Sequence, residues 1–295
     1  MFDKIYVEIT NVCNLACPFC PPTSRPAEFM PRERFLRILE RLEGQGRLLY
    51  FHLKGEPLLH PLIGDFLALA AGRGFRISLT TNGTLLEEGA DTLLAAAGIG
   101  KLSVSLHSHS GSGDVDGYWQ GVSAFLDRHR GKPAFPVSLR LWNRDSGELP
   151  PETAKLWELI RRRYPLAGAW EDIAKRGSSL KLDERVYLNQ ADRFAWPDAA
   201  LPEIEGRGYC HGLRNQVGIL VDGTVVPCCL DSEGAMGLGN ILESSLREIT
   251  NSPRARAIRD GFSRGELAEH LCRTCGYRRR FPARKGGQAE GTAGP

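Results

Sequence analysis

The chain alternates short apolar stretches, rich in β-branched and aromatic residues, with longer segments whose apolar residues recur at helical spacing. The short stretches predict six strands, at residues 5–9, 48–53, 75–80, 102–106 and 137–142, with the last near 185–188. The helical patterns lie at residues 34–42, 62–71, 85–97, 120–130 and 151–163. Strands separated by helices in this way predict a parallel sheet with right-handed crossovers.

The number of repeats sets the expected architecture. Six units fall short of the eight strands and roughly 250 residues of a closed (β/α)8 barrel. We therefore expect an α/β fold in which residues 1–200 form a partial (β/α)6 barrel, open along one side. Active sites of such folds lie at the carboxyl ends of the strands, so the residues that follow each predicted strand form one candidate site.

Composition and charge exclude several classes of protein. A chain of 295 residues with 42% hydrophobic residues can bury a sizeable core, which excludes a disordered chain and a disulfide-stapled miniprotein. The net charge of +3 gives no overall basic field for nucleic acid or an anionic membrane. No signal-peptide pattern follows Met1, and no run of 18 apolar residues occurs. We expect a cytoplasmic protein with no nucleic-acid or membrane partner.

Cysteines give the strongest chemical signal. Three of the eight lie near one end of the sequence and five near the other. In a reducing cytosol such grouping favours metal ligation over disulfides. The first group, Cys13, Cys17 and Cys20, has CxxxCxxC spacing. A 4Fe–4S cluster normally takes four thiolates, so three would leave one iron open to a substrate, as a catalytic zinc keeps one position open. Zinc with a distant fourth ligand and unconnected buried thiols are the alternatives.

The second cysteine group lies where the β/α rhythm stops, near residue 201. Cys210 is followed by two strand-like runs joined at Asp222 and Gly223, a dipeptide typical of hairpins. Beyond the hairpin come Cys228 and Cys229, a helical segment at residues 245–250, and the CxxC pair Cys272 and Cys275. A CxxC pair facing a hairpin can converge four sulfurs on a metal. We expect a metal-binding domain over residues 201–280 and a disordered tail at 281–295, with a structural zinc as the alternative occupant.

At CxxxCxxC the chain resembles the radical S-adenosylmethionine (SAM) superfamily. The resemblance implies a 4Fe–4S cluster on Cys13, Cys17 and Cys20 whose open iron chelates SAM. It also implies that an electron from a flavodoxin- or ferredoxin-type donor cleaves SAM to a 5′-deoxyadenosyl radical, while the protein positions the substrate.

Residues after the later strands extend this resemblance. Lys54-Gly55-Glu56-Pro57 is similar to the superfamily's GGEP segment, with Lys54 at the first glycine, and Thr81-Asn82-Gly83 is similar to its TNG segment. The resemblance implies a SAM site built from Phe19, Gly55, Glu56, Thr81, Asn82, Ser105 and Arg140. Alternatively, Ser105 caps a strand end and Arg140 forms an internal ion pair.

The spacing of Cys210, Gly223, Cys228 and the later CxxC pair resembles the first half of the SPASM extension of radical SAM enzymes. The shortened form is the twitch domain of 2-deoxy-scyllo-inosamine dehydrogenase-like enzymes. It implies one auxiliary 4Fe–4S cluster on Cys210, Cys228, Cys272 and Cys275. Cys229 is then a spare buried thiol, or it replaces Cys228.

These resemblances imply an oxidoreductase that takes a hydrogen atom from its substrate and passes an electron to the auxiliary cluster. Only twelve residues precede Cys13, which favours a small-molecule substrate. A peptide maturase that forms crosslinks and a non-enzymatic iron–sulfur or zinc redox module are the alternatives. We expect substrate contacts in the central segment 170–197, although its aromatic residues could equally serve packing. The residues considered there are Trp170, Asp172, Asp183, Arg193, Phe194 and Trp196. The catalytic acid or base is not assigned.

Overall fold

A computed structural model describes residues 1–109, 113–131, 135–166 and 179–281. Trp170, Asp172 and the predicted tail beyond residue 281 lie outside the described residues. The strands are β1 Lys4–Val7, β2 Leu48–Phe51, β3 Arg76–Thr81, β4 Ile99–Ser105, β5 Val137–Arg144, β6 Ser179–Asp183, β7 Val186–Asp192, β8 Gln216–Ile219 and β9 Val225–Val226.

In the described part of the chain these strands form one sheet in the order β6-β7-β5-β4-β3-β2-β1-β8-β9. Strands β1 to β5 and then β7 are neighbours in chain order, and each pair is parallel. The predicted α/β class and parallel sheet are therefore confirmed. Strands β6 and β9 are the two edges of the sheet, and its curvature into a partial barrel stays a prediction.

In the described part of the chain, five α-helices lie between the strands: α1 Arg32–Leu42, α2 Ile63–Gly72, α3 Ala90–Ala95, α4 Val115–His129 and α5 Ala154–Arg163. Three more follow β9: α6 Leu246–Thr250, α7 Pro253–Arg264 and α8 His270–Thr274. Two helices begin farthest from their predicted first residues. Helix α3 is shorter than the predicted 85–97. Helix α4 begins before the predicted residue 120, because the Asp114 carboxylate accepts a hydrogen bond from Gly117 N and caps the helix at that point.

The two faces of the sheet differ in chemistry, because side chains alternate along each strand. Ile5 and Val7 of β1 are fully buried in the apolar core, together with Phe35, Ile38 and Leu39 of α1. The opposite face, called the inner face below, carries polar and aromatic side chains. It includes the rings of Tyr6, Tyr50 and His52, which contact one another, and the hydrogen-bonded pair Ser105 and Arg140. This face positions the candidate site.

The C-terminal segment continues the same sheet. Strand β8 pairs in parallel with β1, Tyr6 lying opposite Gly218, and β9 pairs antiparallel with β8. The predicted hairpin is therefore confirmed. Gly223 has φ +93°, and a Cβ there would lie 2.7 Å from Asn240 Oδ1, so the turn requires glycine. The domain boundaries at residues 201 and 281 stay predictions. Among the described residues, no helix is both long and apolar enough to span a bilayer.

Candidate metal and cofactor site

The first three cysteines lie in one long loop that follows β1. Its two ends are tied together: Thr10 Oγ1 donates to Glu28 O (2.8 Å), and Asn11 Nδ2 donates to Pro26 O (2.7 Å). Met30 N also bonds to Ile9 O at 2.8 Å. Side-chain bonds of this kind hold a loop closed where no helix or strand does. The loop is thereby fixed at the carboxyl edge of the sheet.

Within this loop, Cys13 is exposed, and Cys17 and Cys20 are half-buried. Cys20 N bonds to Cys17 O at 3.0 Å, which folds the CxxC portion into a turn. Burial raises the pKa of the Cys13 and Cys17 thiols, Cys20 raises both further, and Cys13 adds to the increase at Cys17. The three sulfurs therefore act on one another electrostatically, and a cationic iron core would favour their thiolate forms.

Three residues of the predicted SAM site, Glu56, Thr81 and Asn82, are brought together by the Glu56 carboxylate. That group accepts hydrogen bonds from Thr81 Oγ1 (2.7 Å), Asn82 N (2.6 Å) and Leu58 N (3.0 Å), and it is 1% exposed. Burial raises the pKa of Glu56, although these hydrogen bonds oppose the increase. Glu56 thus joins the loop after β2 to the loop after β3. Its expected bond to the SAM ammonium group stays a prediction.

Gly55 allows the backbone that carries Glu56 to pack closely against the cysteine loop. It has φ +73°, and a Cβ would lie 2.4 Å from Thr10 O. The next residue, Glu56, bonds through its backbone N to Val12 O at 2.8 Å. Lys54 is not among the residues with positive φ, so its replacement of the usual glycine needs no strained backbone. Asn82 completes the junction, because its Nδ2 lies 2.8 Å from Asn14 Oδ1 and 3.9 Å from Cys13 Sγ.

The remaining predicted SAM contacts form a second group. Ser105 and Arg140 are opposite one another on β4 and β5, and Arg140 Nη2 donates to Ser105 Oγ at 2.8 Å. Burial lowers the pKa of Arg140 to about 10, while Tyr6, Tyr277 and Cys229 act in the opposite direction. Its Nε is buried with no hydrogen-bond partner in the described part of the chain. An unsatisfied buried donor of this kind is suited to an anionic ligand group.

Phe19 joins this second group through His107. The Phe19 side chain is 40% exposed, and its ring centroid lies 5.1 Å from that of His107. His107 Nδ1 is 3.1 Å from Arg140 O. Burial and the Arg140 charge lower the pKa of His107 to about 4. A neutral imidazole therefore connects the cysteine loop to the inner face.

The second cysteine group surrounds one cavity. Its lining contains all five C-terminal cysteines, with the apolar side chains of Met236, Phe262 and Leu267. Cys210 precedes β8, Cys228 and Cys229 follow β9, and Cys272 and Cys275 lie in and directly after α8. The hairpin and α8 thus bring together the cysteines that the sequence predicted as a set.

The chemistry of this cavity fits an iron–sulfur cluster. Burial raises the pKa of Cys210 to about 11 and raises those of Cys228 and Cys272 strongly, with neighbouring cysteines adding to each shift. Closely spaced thiolates in an apolar cavity require a cationic partner. A 4Fe–4S cluster bonds each cysteine to a different iron, so it requires sulfurs around a cavity.

Cys229 faces a different environment from Cys228. It hydrogen-bonds with Tyr6 on the inner face, and burial raises its pKa to about 11. Both thiols interact electrostatically with Cys210, but only Cys228 also interacts with Cys272. This difference agrees with Cys228 as a ligand and Cys229 as the spare thiol, an assignment that stays a prediction.

Glu8 is a residue of this site that was not predicted from the sequence. Its side chain is fully buried and accepts hydrogen bonds from both Arg25 Nη atoms, at 2.6 and 2.8 Å. Its carboxylate oxygens also lie 2.9 Å from Val221 N and 3.3 Å from Lys54 N. Three separate loops therefore meet at one carboxylate. The available signal was a charged residue inside the otherwise apolar predicted strand at 5–9, since buried carboxylates are rare without a partner.

Comparison with known proteins gives two family matches. Residues 7–141 match the radical SAM superfamily, and residues 210–276 match the SPASM iron-sulfur cluster-binding domain. A tungsten-containing aldehyde ferredoxin oxidoreductase cofactor-modifying protein of Pyrococcus furiosus is 35% identical over 291 residues, covering 85% of this chain and 81% of that protein. A GTP 3′,8-cyclase of Synechococcus sp. is 35% identical over 121 residues, covering 37% of this chain and 35% of the cyclase.

Solved structures share the fold at lower identity. BtrN in complex with AdoMet and 2-DOIA is 22% identical with a TM-score of 0.58, and the match covers 93% of each chain. Streptococcus suis SuiB bound to its precursor peptide SuiA is 16% identical with a TM-score of 0.59. That match covers 93% of this chain and 70% of SuiB.

Proposed function

Because this chain belongs to the radical SAM superfamily, whose cofactors are 4Fe–4S clusters and SAM, we propose that it oxidises a small-molecule substrate by a SAM-dependent radical reaction. Cys13, Cys17 and Cys20 hold the first cluster. The SAM molecule is contacted by Phe19, Gly55, Glu56, Thr81, Asn82, Ser105 and Arg140. Cys210, Cys228, Cys272 and Cys275 hold the auxiliary cluster.

When bound, the first cluster and SAM supply a 5′-deoxyadenosyl radical that removes a hydrogen atom from the substrate, and the auxiliary cluster supplies an acceptor for one further electron. This chain's own residues do the positioning. Glu56 fixes the loops after β2 and β3 against one another. Arg140 offers a buried cationic donor on the inner face. A flavodoxin- or ferredoxin-type protein provides the reducing electron.

One observation carries the oxidoreductase proposal: β8 lies directly beside β1. This pairing brings the C-terminal cysteine cavity to the inner face, where Cys229 bonds with Tyr6. Cys229 and Tyr277, which both line the cavity, also act electrostatically on Arg140. A substrate on the inner face would therefore lie next to both cysteine groups. Such proximity supports an auxiliary cluster that takes an electron from the substrate rather than one that only stabilises the fold.

The relative that spans most of both chains supports a small-molecule substrate. Its name assigns it the modification of a cofactor, and we propose a substrate of similar kind here. A peptide maturase is the second candidate function, because the SuiB structure with its bound precursor peptide has the same fold. Because the fold is common to both kinds of enzyme, only identification of the substrate distinguishes the two candidate functions.

Anaerobic reconstitution tests this proposal. The loaded chain should hold roughly eight irons, and it should release 5′-deoxyadenosine and methionine from SAM under strong reductant. A colourless zinc protein that leaves SAM intact would contradict the proposal. Incubating the loaded enzyme with candidate cofactor precursors and with candidate peptides, followed by mass spectrometry, then separates the two functions. A substrate lighter by two hydrogens supports the small-molecule oxidation, and a crosslinked peptide supports the maturase.

A further inference from the structure

Lys54 is the position at which this chain departs from the GGEP segment of its superfamily, and its side chain has a defined environment. The residue is 8% exposed. Its Nζ lies 3.3 Å from Cys20 Sγ. It also donates to the carbonyl oxygen of Pro21, the residue after Cys20. The Trp196 ring holds the ammonium group from another side, with 5.5 Å between Nζ and the ring centroid. These contacts hold the positively charged Lys54 ammonium group next to Cys20, one of the three cysteines of the CxxxCxxC loop.

Both ends of Lys54 are fixed by the fold. Its backbone N lies 3.3 Å from Glu8 Oε1, and the negative charge of Glu8 is already paired with Arg25. The adjacent Gly55 packs against Thr10. The ammonium group is therefore held near Cys20 by the backbone, a carbonyl and an aromatic ring, and water has little access to screen it.

A cation at this place has a predictable effect on an iron–sulfur cluster. Reduction adds one negative charge to the cluster, and a fixed positive charge nearby stabilises the reduced form more than the oxidised form. Hydrogen bonds to the ligand sulfurs and solvent exposure are established determinants of cluster potentials. Lys54 supplies a charge and a hydrogen bond at once, at a position where glycine would supply neither.

We propose that Lys54 is a positioning residue that raises the reduction potential of the N-terminal cluster through Cys20, so that a weaker electron donor can reduce it. This inference rests on the proposed function, because it requires a cluster on Cys20. It adds a property that the family match does not give, since it depends on the lysine at the first position of the segment.

The test is a redox titration of the loaded full-length chain, followed by electron paramagnetic resonance. The cluster whose signal changes when SAM is added is the N-terminal one. Lys54→Met removes charge and hydrogen bond, Lys54→Gln keeps a neutral donor, and Lys54→Arg keeps the charge. Lys181→Met, at an exposed position on the edge strand β6, is the matched control. Iron content and melting temperature are recorded for each variant.

At a fixed potential we expect the ratio of reduced to oxidised N-terminal cluster to fall at least about tenfold in Lys54→Met and Lys54→Gln, which corresponds to 59 mV for one electron. Lys54→Arg and Lys181→Met should keep the wild-type ratio, and the auxiliary cluster should keep its potential in every variant. An unchanged ratio in Lys54→Gln overturns the inference, even if Lys54→Met loses its cluster. A wild-type chain that assembles no cluster contradicts the proposed function itself. Failure of the proposed function is therefore distinguishable from failure of the inference about Lys54.

Discussion

Glu8, which directly follows β1, and Arg25, near the end of the cysteine loop, form a buried two-point ion pair. The two nitrogen–oxygen distances are 2.6 and 2.8 Å, and the side chains are 0% and 15% exposed. The same carboxylate receives the backbone N–H of Val221, beyond β8. One buried pair therefore fixes the cysteine loop relative to the C-terminal hairpin, and so places the two cysteine groups relative to each other.

Breaking this pair should be costly. Glu8→Gln leaves the half-buried Arg25 charge without its partner, and losses of about 3–5 kcal/mol are typical for such changes. We expect a loss of that order in the free energy of unfolding, measured by urea denaturation. The control is Arg32→Met, which breaks an exposed pair with Asp65 and should cost less than about 1 kcal/mol. Equal losses in the two variants would show that the buried pair has no special role.

Gly55 provides a second test of the loop junction. Gly55→Ala forces an L side chain into a left-handed backbone conformation and places its Cβ 2.4 Å from Thr10 O, so the junction must open. The conformation alone costs about 1–2 kcal/mol. We expect weaker SAM binding by calorimetry and a lower melting temperature. Gly72→Ala, at the end of α2 with nothing within 4 Å of the added Cβ, should retain wild-type binding. Wild-type SAM affinity in Gly55→Ala would contradict the importance of this close approach.

Much of the fold could be predicted from local patterns. Strands β1 to β5 and β7 lie where β-branched and aromatic runs predicted them, and Asp222-Gly223 correctly indicated the hairpin. The edge strand β6 was missed, because its residues are half-buried or exposed and leave no clear apolar signal. Helix α7 was also missed, although Ser252 caps its first turn and Gly265 ends it in a left-handed conformation. This helix has few buried apolar residues and several arginines, so its apolar residues give only a weak helical pattern in the sequence.

The site could be predicted only in its local parts. Spacing alone grouped the cysteines, and short motifs after the strands located Glu56 and Asn82. The contacts between them depend on distant residues: Glu8 bonds to Val221, 213 positions away. The pairing of β8 with β1 is likewise a long-range event. Local propensity carries no information on such pairings, because they follow from tertiary packing.

Glu56 is expected to act first as an internal brace. In Glu56→Gln an amide NH2 replaces one of the oxygens that accept from Thr81 Oγ1 and Asn82 N. Leaving a buried donor unsatisfied costs about 1–3 kcal/mol. We expect a loss of that size in the free energy of unfolding before SAM is added, together with weaker SAM binding. Glu33→Gln, at an exposed position on α1, is the control. Weaker SAM binding with unchanged stability would instead assign Glu56 to the ligand alone.

His107 should make stability depend on pH. Its pKa is about 4 in the folded chain, because burial and Arg140 disfavour the charged ring, whereas an unfolded histidine titrates near 6.5. Between these values the unfolded chain binds more protons, so stability falls as pH falls from about 6.5 to about 4. One such group contributes a slope of up to about 1.4 kcal/mol per pH unit. Urea denaturation of His107→Asn at several pH values should give a shallower slope than the wild type. Parallel curves would contradict this account.

The central claim is that two cysteine groups hold clusters with different tasks, and release of 5′-deoxyadenosine tests it most directly. The measurement compares the wild type with Cys17→Ala, Cys272→Ala and the spare-thiol control Cys229→Ala, each reconstituted without oxygen and supplied with SAM and strong reductant. We predict no release from Cys17→Ala, measurable release from Cys272→Ala, and wild-type release from Cys229→Ala. Equal loss of release in Cys17→Ala and Cys272→Ala, or full release from Cys17→Ala, would contradict the account.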